Sequence, residues 1–321
     1  MSDRAAATTI DVVIVAYDSR DSVLEALRSL QAEDGPPVCV HVVDNASRDG
    51  TAAAVRSCFA DARGVARGFT STHLVENPAN LGFAAACNQG WRSGSEPLVL
   101  FLNPDAQLRP GALEALARVF AEGPRVGIAG PRTLNADGSV QVSAGPDLSP
   151  LRELEQRRLV RGVARRDPTA LAAAEALHAH ARDVDWVSGA CLMARRSCLE
   201  AVGGFDEGFF LYEEDADLCR RAREAGWTVA FTPDAVAVHG LGRSMARSPR
   251  RARLEYHRSH LRYYDKHLGI GSRLALRAWL ISRESARWLA GLLRGEEGRP
   301  VRAEALAVLR LVAGRRAIHK Y

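Results

Sequence analysis

The sequence predicts an α/β fold with a mostly parallel sheet, because three long apolar runs lie in its first third with helical patterns between them. The runs are residues 12–17, 38–43 and 98–102. Each run is too apolar for a strand with one face in water, and buried strands of parallel sheets have this composition. An acidic residue follows each run within three positions: Asp18, Asp44 and Asp105. Ligands of open α/β sheets bind beyond the carboxyl ends of the strands, so this edge is the predicted binding site.

The first half of the chain alternates between strand and helix patterns. Apolar residues at helical spacing predict a helix over residues 21–31, which Gly-Pro-Pro at 35–37 terminates. A polar turn follows the second run, and a helix is predicted from there through Phe59. A short strand at 74–75, a small-residue helix at 84–90 and a helix at 110–122 follow. This βαβα order is typical of a doubly wound half of about 130 residues.

The second half is predicted to add helices and a few strands. Residues 151–182 are predicted to be helical, and residues 186–196 to form a strand that enters this half. A helix is predicted over 215–225, with Gly226 as its C-cap. Residues 228–238 are predicted to form two strands, because Pro233 and Asp234 interrupt the apolar pattern.

The charge of the 321-residue chain is unevenly distributed. Residues 243–321 hold 19 Lys+Arg and 6 Asp+Glu, a net charge of +13, whereas residues 1–242 hold 24 and 32, a net charge of −8. A basic segment on a mildly acidic body predicts a negatively charged partner, either a membrane surface or nucleic acid. The segment has no recognised nucleic-acid motif, so we expect no nucleic-acid partner.

The six cysteines form no C-x-x-C pair, and several lie in apolar runs. This pattern predicts buried thiols in a reducing cytosol, with neither a disulfide framework nor a zinc site. No signal-peptide pattern occurs at residues 1–10, and no stretch of about 18 uncharged apolar residues predicts a membrane-spanning helix.

Two motifs near the first strands are candidates for ligand contact. Asp44 follows a buried strand and can accept from a ring N–H or a ribose hydroxyl; an N-cap aspartate is the alternative interpretation. Asn80 and Gly82 lie in a turn before a small-residue helix, where glycine lets a ligand approach the backbone. Ordinary turn chemistry explains that motif slightly better when the segment is considered alone.

Two further strand ends carry oxygen and imidazole groups. Asn103 and Asp105 end the third apolar run, where an amide and a carboxylate suit Mg²⁺ or Mn²⁺ and leave open sites for a diphosphate. His239 ends a later apolar run before Gly240, a reasonable place for a metal ligand, although a lone histidine is more often structural.

Acidic residues occupy four of the five positions 213–217 at the start of a predicted helix. Interaction with the helix dipole is the simpler interpretation. Clustered carboxylates also raise one another's pKa, which favours a general base.

Together these motifs resemble the family 2 glycosyltransferases of the GT-A fold, and most closely their bacterial rhamnosyltransferase-like members. The resemblance runs from about residue 11 to residue 244. Its motifs are VDNAS at 43–47, NLGF at 80–83, FLNPDA at 101–106, WVSGAC at 186–191, GGFDE at 203–207, EEDADLCRR at 213–221 and VH at 238–239. The implied fold is Rossmann-like, with a mostly parallel sheet, helices on both faces and a basic helical C-terminal tail.

The resemblance also implies residue roles. Asp215 matches the catalytic base, and Asp105 and His239 match the metal-binding aspartate and histidine of the family, for Mg²⁺ or Mn²⁺. Asn103 stands where the first aspartate of the family's D-x-D motif often stands. The residues implied to contact the nucleotide sugar or line its pocket are Tyr17, Asp18, Asp44, Asn80, Gly82, Asn103, Trp186, Gly189 and Glu214.

The resemblance implies an inverting transferase that moves a sugar, with rhamnose as a candidate, from a nucleoside diphosphate sugar to a glycan or lipid-linked acceptor of the cell envelope. Its expected domains are 1–244, with a nucleotide-binding half of about 9–135 and an acceptor half of about 136–244, and a basic helical extension, 245–321. A sugar nucleotidyltransferase is one alternative, but it would need a glycine-rich basic loop after the first strand, which residues 18–21 do not form. A non-catalytic sugar-nucleotide-binding protein is the other.

The C-terminal extension has two competing interpretations. A helix at 272–294 is predicted to carry arginines on one stripe and Leu, Ile and Trp over much of the rest, and a second helix is predicted at 301–312. A basic stripe beside a broad apolar face suits a helix in an anionic membrane interface. The protein would then be cytoplasmic and peripheral on the inner face of the plasma membrane. Alternatively, both helices pack on the catalytic domain and cover its sheet.

Overall fold

The computed structural model describes residues 8–61, 64–240 and 249–314. The strands of this part are β1 (Ile10–Ala16), β2 (Val38–Asp44), β3 (Ser71–Glu76), β4 (Leu98–Leu102), β5 (Ala106–Leu108), β6 (Val126–Leu134), β7 (Ala144–Gly145), β8 (Arg182–Asp183), β9 (Trp186–Val187), β10 (Cys191–Arg195) and β11 (Thr228–His239). The helices are α1 (Arg20–Gln31), α2 (Thr51–Ala60), α3 (Phe83–Arg92), α4 (Ala112–Glu122), α5 (Pro150–Ala164), α6 (Pro168–Leu177), α7 (Arg196–Val202), α8 (Glu214–Glu224), α9 (Pro249–His267), α10 (Ile270–Leu292) and α11 (Arg299–Val312), with a 3₁₀ helix at Val65–Gly68.

The long strands form one mixed sheet, which confirms the predicted α/β fold. Its strand order is β3, β2, β1, β4, β10, β6, β11 and β5. The first four run parallel, β10 runs antiparallel to β4 and β6, and β11 runs parallel to β6. The carboxyl ends of β1, β2, β4 and β11 therefore share one edge with the start of β10.

Helices cover both faces of the sheet, and this coverage explains the three unbroken apolar runs. Every residue of β1, β2 and β4 is buried. Side chains alternate along a strand, so Val12 belongs to the core beneath α1 and α4, and Val13 to the core beneath α3 and α8. A strand with a helix layer on each side has no position where a polar side chain reaches water.

Two of the later strands differ from the prediction. β6 was not predicted, because Gly127, Gly130 and Pro131 interrupt its apolar pattern. The predicted pair of strands at 228–238 is one strand, β11, whose register shifts between Thr232 and Val236. Proline has no N–H for the ladder, so the chain bulges there and then resumes the same strand.

The segment predicted as the strand 186–196 is also divided. Its first two residues, β9, pair with β7 in a separate small sheet. After three further residues, β10 joins the main sheet. Arg196 already begins α7. The intervening residues 188–190 therefore cross from one sheet to the other, at the edge that carries the candidate site.

The predicted helix 151–182 is two helices and the short strand β8. The first helix ends at Ala164. Asp167 caps the second, since its carboxylate accepts from the Ala170 N–H at 2.8 Å, and Pro168 takes the first helical position. Proline at that position lacks only an N–H that would have no partner in the helix. These two residues therefore mark the start of a second helix within the predicted one, which composition alone did not indicate.

The C-terminal helices α10 and α11 form a layer on α9. α9 contributes Leu261, Tyr263 and Tyr264 to the same core cluster as β1 and β4. α10 and α11 pack against each other and against α9. The alternative in which both helices pack on the rest of the protein agrees with these contacts, since Leu276, Leu280 and Val308 belong to that same core cluster.

The orientation of α10 contradicts the predicted outward basic stripe. Its charged residues are buried or half-buried and partnered: Arg273, Arg277, Arg283, Glu284 and Arg287. Glu284 is fully buried, and its carboxylate pairs with two of these arginines. The outward face is instead uncharged and mostly apolar.

Two properties predicted from composition can be compared with this part of the chain. Five of the six cysteines are buried and Cys58 is half-buried, which agrees with the predicted buried thiols. Across the described helices, none is both long and apolar enough to cross a bilayer.

Candidate active site

Asp44 lies at the carboxyl end of β2 with one carboxylate oxygen unpartnered. The residue is 3% exposed, and its Oδ2 accepts from the Ser47 N–H at 3.1 Å. Its Oδ1 is buried without a hydrogen-bond partner. Because a buried acceptor without a donor is costly, this oxygen is prepared for a donor from a ligand, such as a ring N–H or a ribose hydroxyl.

The end of β1 lies beside Asp44, but the Asp18 carboxylate already has a structural partner. Ala16 is the register partner of Asp44 in the parallel pair of β1 and β2. Asp18 Oδ1 accepts from the Arg48 N–H at 2.7 Å, and its own N–H donates to Ser47 Oγ at 2.9 Å. Asp18 therefore shapes the loop around Asp44, and the half-buried Tyr17 precedes it at the same edge.

An amide network that the sequence did not reveal supports Asn80 and Gly82. Asn45 Nδ2 donates to Asn80 Oδ1 at 3.0 Å and to the Gly82 carbonyl at 3.1 Å. Asn45 Oδ1 accepts from Asn77 Nδ2 and from the Leu81 N–H. Asn45 belongs to the VDNAS motif, and its position next to Asp44 in the sequence could have identified it as a residue of this site.

Gly82 is required by its backbone and by its surroundings. Its φ is +91°, and a Cβ there would lie 2.6 Å from the Phe210 carbonyl oxygen. The next residue, Phe83, donates its N–H to that same carbonyl at 2.7 Å. The close approach at Gly82 and the hydrogen bond of Phe83 therefore join the turn before α3 to the segment that leads into α8.

Asn103, Asp105 and His239 form a cluster where β4 and β11 end. His239 Nε2 lies 3.2 Å from Asp105 Oδ1 and 3.4 Å from Asn103 Nδ2. The side chains of His239 and Asp105 are 12% and 7% exposed. The structure thus places together three residues that are up to 136 positions apart in the sequence, as predicted from their strand ends.

Gln141 fixes the tautomer of His239, and sequence reasoning missed it. Its Nε2 donates to the His239 backbone carbonyl at 2.9 Å, so its Oε1 is the atom that lies 3.2 Å from His239 Nδ1. An amide oxygen only accepts, so Nδ1 carries the proton. Nε2 is then the atom directed toward Asp105, in the arrangement typical of a metal-binding histidine whose other nitrogen donates to a carbonyl.

A divalent ion at this cluster would need ligands from a bound molecule as well as from the protein. Among the described residues, no group of three or more His, Cys, Asp or Glu side chains could enclose a metal ion. Asp105 and His239 would supply two ligands, and oxygens of a bound diphosphate would supply others, as is usual for Mg²⁺.

Asp215 lies in the first turn of α8, beside the start of β10. Its Oδ2 accepts from the Gly189 N–H and its Oδ1 from the Ala216 N–H, each at 2.8 Å. Burial raises the pKa of Asp215 above its usual range, and the two N–H donors oppose this only in part. A carboxylate with a raised pKa is a stronger base, which suits proton removal near neutral pH.

Glu214 and Trp186 occupy buried positions around Asp215. Burial and the neighbouring Asp215 charge raise the pKa of Glu214 well above its usual range, and its Oε2 has no hydrogen-bond partner. The Trp186 ring is buried, and its Nε1–H donates to the Pro146 carbonyl at 2.9 Å. The tryptophan ring therefore packs in the core beside Gly145 and Pro146.

Backbone contacts join the cluster of Asn103, Asp105 and His239 to Asp215. The Asn103 N–H donates to the Ala190 carbonyl at 2.9 Å, and Ala190 follows the Gly189 that binds Asp215. Asp44 is farther away, because β1 lies between β2 and β4, which are therefore about 10 Å apart. The edge thus carries, in order, a buried carboxylate oxygen of Asp44 without a partner, the cluster of Asn103, Asp105 and His239, and the Asp215 carboxylate.

Comparisons with known proteins identify the family of the chain. The sequence model of the family described as Glycosyltransferase like family 2 matches residues 7–265. The N-acetylglucosaminyl-diphospho-decaprenol L-rhamnosyltransferase of Mycobacterium tuberculosis is 34% identical, and the match covers 87% of this chain and 94% of that protein. Rhamnosyltransferase WbbL of Escherichia coli K12 is 43% identical over 17% of this chain and 21% of its own.

Solved structures share the fold. The mannosyltransferase PcManGT of Pyrobaculum calidifontis, in complex with GDP-Man and Mn²⁺, has a TM-score of 0.56 and 19% identity, covering 98% of this chain and 78% of that one. GalNAc-T7 with UDP, GalNAc and Mn²⁺ has a TM-score of 0.51 and 13% identity, covering 73% and 43%. At these identities the likeness concerns the fold alone, and it confirms the predicted GT-A architecture.

Proposed function

This chain belongs to glycosyltransferase family 2 and is a glycosyltransferase, and we propose that it transfers a hexose, with rhamnose as the candidate sugar, from a nucleoside diphosphate sugar to a lipid-linked glycan in cell-envelope synthesis. The Mycobacterium tuberculosis relative supports this substrate class, because its name specifies a rhamnosyl transfer to N-acetylglucosaminyl-diphospho-decaprenol and the match covers 94% of its length.

The hydrogen bond from the Gly189 N–H to Asp215 Oδ2 is the observation that carries the mechanism. It holds the carboxylate beside the β4 end that carries Asp105. In the proposed reaction, Asp215 takes the proton of the acceptor hydroxyl while the oxygen attacks the anomeric carbon. The bond from that carbon to the diphosphate breaks on the opposite face, so the configuration at the carbon inverts.

Asp105 and His239 are the proposed ligands of Mg²⁺ or Mn²⁺. When bound, such an ion neutralises the negative charge that develops on the departing diphosphate. Gln141 keeps His239 Nε2 available for this role by accepting from Nδ1–H. The Mn²⁺ in the complex of the Pyrobaculum calidifontis mannosyltransferase supports the same chemistry in this fold.

Asp44 is the proposed contact to the nucleoside, and a donor screen tests it together with the substrate class. One nucleoside diphosphate sugar of a panel, added with Mn²⁺, is expected to raise the melting temperature. Asp44→Ala is expected to weaken that donor and the free nucleoside diphosphate equally, each by about 1.5–3 kcal/mol, the value of a hydrogen bond to a charged group.

Asp137→Ala is the matched control for the screen, because Asp137 is a carboxylate that pairs with Arg166 in an exposed turn. Its donor affinity should equal that of the unmodified chain. A loss confined to the intact donor would contradict the nucleoside role of Asp44, and a panel without any stabilising nucleotide sugar would contradict the substrate class.

The outward face of α10 is the proposed contact with an anionic membrane. Ile270 and Leu274 are 69% and 58% exposed on this face, and Ile281, Leu289 and Leu292 continue it along the helix. Exposed Arg294 and Arg299 follow at its C-terminal end. A long apolar helix face with basic residues at its end suits the interface of an anionic bilayer, where a lipid-linked acceptor lies. We place this membrane on the cytoplasmic side, in keeping with the buried free thiols.

Co-sedimentation with anionic vesicles tests this surface. The full chain is expected to pellet with the vesicles, and the double variant Ile281→Glu, Leu289→Glu is expected to remain in the supernatant, because two charges cannot enter the acyl region. Leu177→Glu is the matched control, since Leu177 is a similarly exposed leucine on α6. If the double variant pellets like the unmodified chain, α10 is not the contact surface.

A further inference from the structure

Two consecutive residues directly before α8 have left-handed backbone conformations although neither is glycine. Tyr212 has a φ of +71° and Glu213 a φ of +66°. L-residues disfavour this region because Cβ approaches the following carbonyl oxygen. Such conformations persist where the surrounding structure imposes them, and they occur often near functional sites. We call residues 211–213 the strained turn; Asp215 lies two positions beyond it.

One face of α9 supplies a contact to each residue of the strained turn. Ser259 Oγ donates to the Leu211 carbonyl at 2.7 Å, and the Tyr256 ring packs edge-on against Tyr212 at 5.8 Å between centroids. His260 Nδ1 lies 2.9 Å from Glu213 Oε1. Ser259 and His260 follow Tyr256 by three and four positions, so all three lie on the same face of the helix.

His260 is the most constrained member of this face. It is 1% exposed, and its Nε2 lies 3.0 Å from Glu153 Oε2 of α5. A ring between two carboxylates is best matched when both nitrogens carry protons. Burial lowers the pKa of His260, but the two carboxylates outweigh burial and raise the pKa to about 9. The imidazolium thus ties the strained turn to α5 and α9 together.

The same helix also contacts Asp217, two positions after Asp215. Lys266 Nζ and His267 Nε2 each lie 2.6 Å from Asp217 Oδ1, and Asp217 is fully buried. α9 therefore contacts the acidic segment on both sides of Asp215, at Glu213 and at Asp217. The Asp215 carboxylate itself accepts from the Gly189 N–H.

We propose that α9 is a clamp that imposes the strained turn, and that His260 is the positioning residue which, through Glu213, fixes the direction in which α8 presents Asp215. This inference rests on the proposed function of Asp215 as the base. His260 is buried among protein groups and acts on the reaction only through Glu213, so its loss should affect turnover more than donor binding. The helix at the start of the basic extension then takes part in catalysis.

The first test compares His260→Gln with His41→Gln. His41 is a matched buried histidine, 2% exposed and 2.9 Å from Asp11 Oδ1, on β2 away from the strained turn. His260→Gln is expected to lower kcat roughly tenfold or more, with the donor KM changed less than about threefold, because small misplacements of a base are costly in rate. His41→Gln is expected to keep kcat at a comparable loss of melting temperature. Equal effects of the two variants on kcat would overturn the proposal.

Glu213→Gly keeps the test decisive if His260→Gln does not fold. Glycine adopts the left-handed backbone without strain, so the fold is retained while the carboxylate held by His260 is removed. The clamp predicts a fall in kcat similar to that of His260→Gln, and a double variant no slower than the slower single variant. Unchanged turnover in Glu213→Gly, or additive losses in the double variant, would show that the two residues do not act through each other.

Hydrogen exchange provides a readout that does not require sugar transfer. In the free protein, the amides of residues 214–217 are expected to exchange faster in His260→Gln than in the unmodified chain or in His41→Gln. Faster exchange in a protein that transfers no sugar would support the clamp and contradict the proposed function. An active protein in which His260→Gln alters neither exchange nor kcat would contradict the clamp alone.

Discussion

Replacement of Asp215 by Asn is expected to lower the turnover of glycosyl transfer by about 100-fold or more, while the fold and donor binding remain. The amide keeps the shape of the carboxylate, and its oxygen can still accept from the Gly189 N–H. It loses the basicity that removes the acceptor proton, and also the second oxygen, which accepts from the Ala216 N–H. Asp234→Asn is the matched control, because it also removes one carboxylate, here from an exposed ion pair with Arg118.

The pH dependence of kcat follows from the raised pKa of Asp215. The base acts in its deprotonated form, so turnover is expected to rise with pH through this pKa and then level off. Because burial raises the pKa, that limb lies above the usual aspartate value of about 3.9. The limb should be absent from the residual activity of Asp215→Asn. Near-normal turnover of a folded Asp215→Asn protein would mean that another group is the base.

Removal of divalent ions is expected to abolish transfer, and Mn²⁺ or Mg²⁺ to restore it. Asp105 and His239 alone offer too few ligands to enclose an ion, so the ion should exchange readily with a chelator. Gln141→Leu is expected to raise the concentration of metal needed for half-maximal activity by about 10–100-fold, because it frees the His239 ring from its fixed tautomer.

One control variant and two contradicting outcomes define this metal prediction. Gln107→Leu removes a glutamine side chain that pairs with Glu25 at the surface, so its metal requirement should match that of the unmodified chain. Full activity after exhaustive chelation would exclude the ion from the reaction. A normal metal requirement in Gln141→Leu would leave the ion but remove the role of Gln141.

Strands with both faces buried could be predicted from the sequence, whereas elements with polar interfaces could not. β1, β2 and β4 lie between two helix layers, and their mostly apolar composition is what burial of both faces requires. α9 packs through buried polar groups, among them Glu255, His257, Ser259 and His260. Apolar periodicity does not detect such a helix, because hydrogen bonds and ion pairs replace part of the hydrophobic contact.

The candidate site shows the same division. Asp44, Asp105 and His239 could be placed because strand ends meet at one edge of a parallel sheet. Gln141 and His260 act through partners about 50 to 100 positions away, and no local motif marks them. Their positions depend on the way β6, α5 and α9 pack, which sequence patterns do not specify.

The central claim, transfer of a sugar from a nucleotide to a lipid-linked acceptor with Asp215 as base, is tested most directly by product analysis. The full chain is incubated with Mn²⁺, a polyprenyl-diphosphate-linked N-acetylglucosamine and radiolabelled nucleoside diphosphate sugars, one at a time. The account predicts that label from one donor enters the organic phase as a disaccharide lipid with inverted anomeric configuration, and that Asp215→Asn prevents this. Label that stays in water for every donor, or a product with retained configuration, would contradict it.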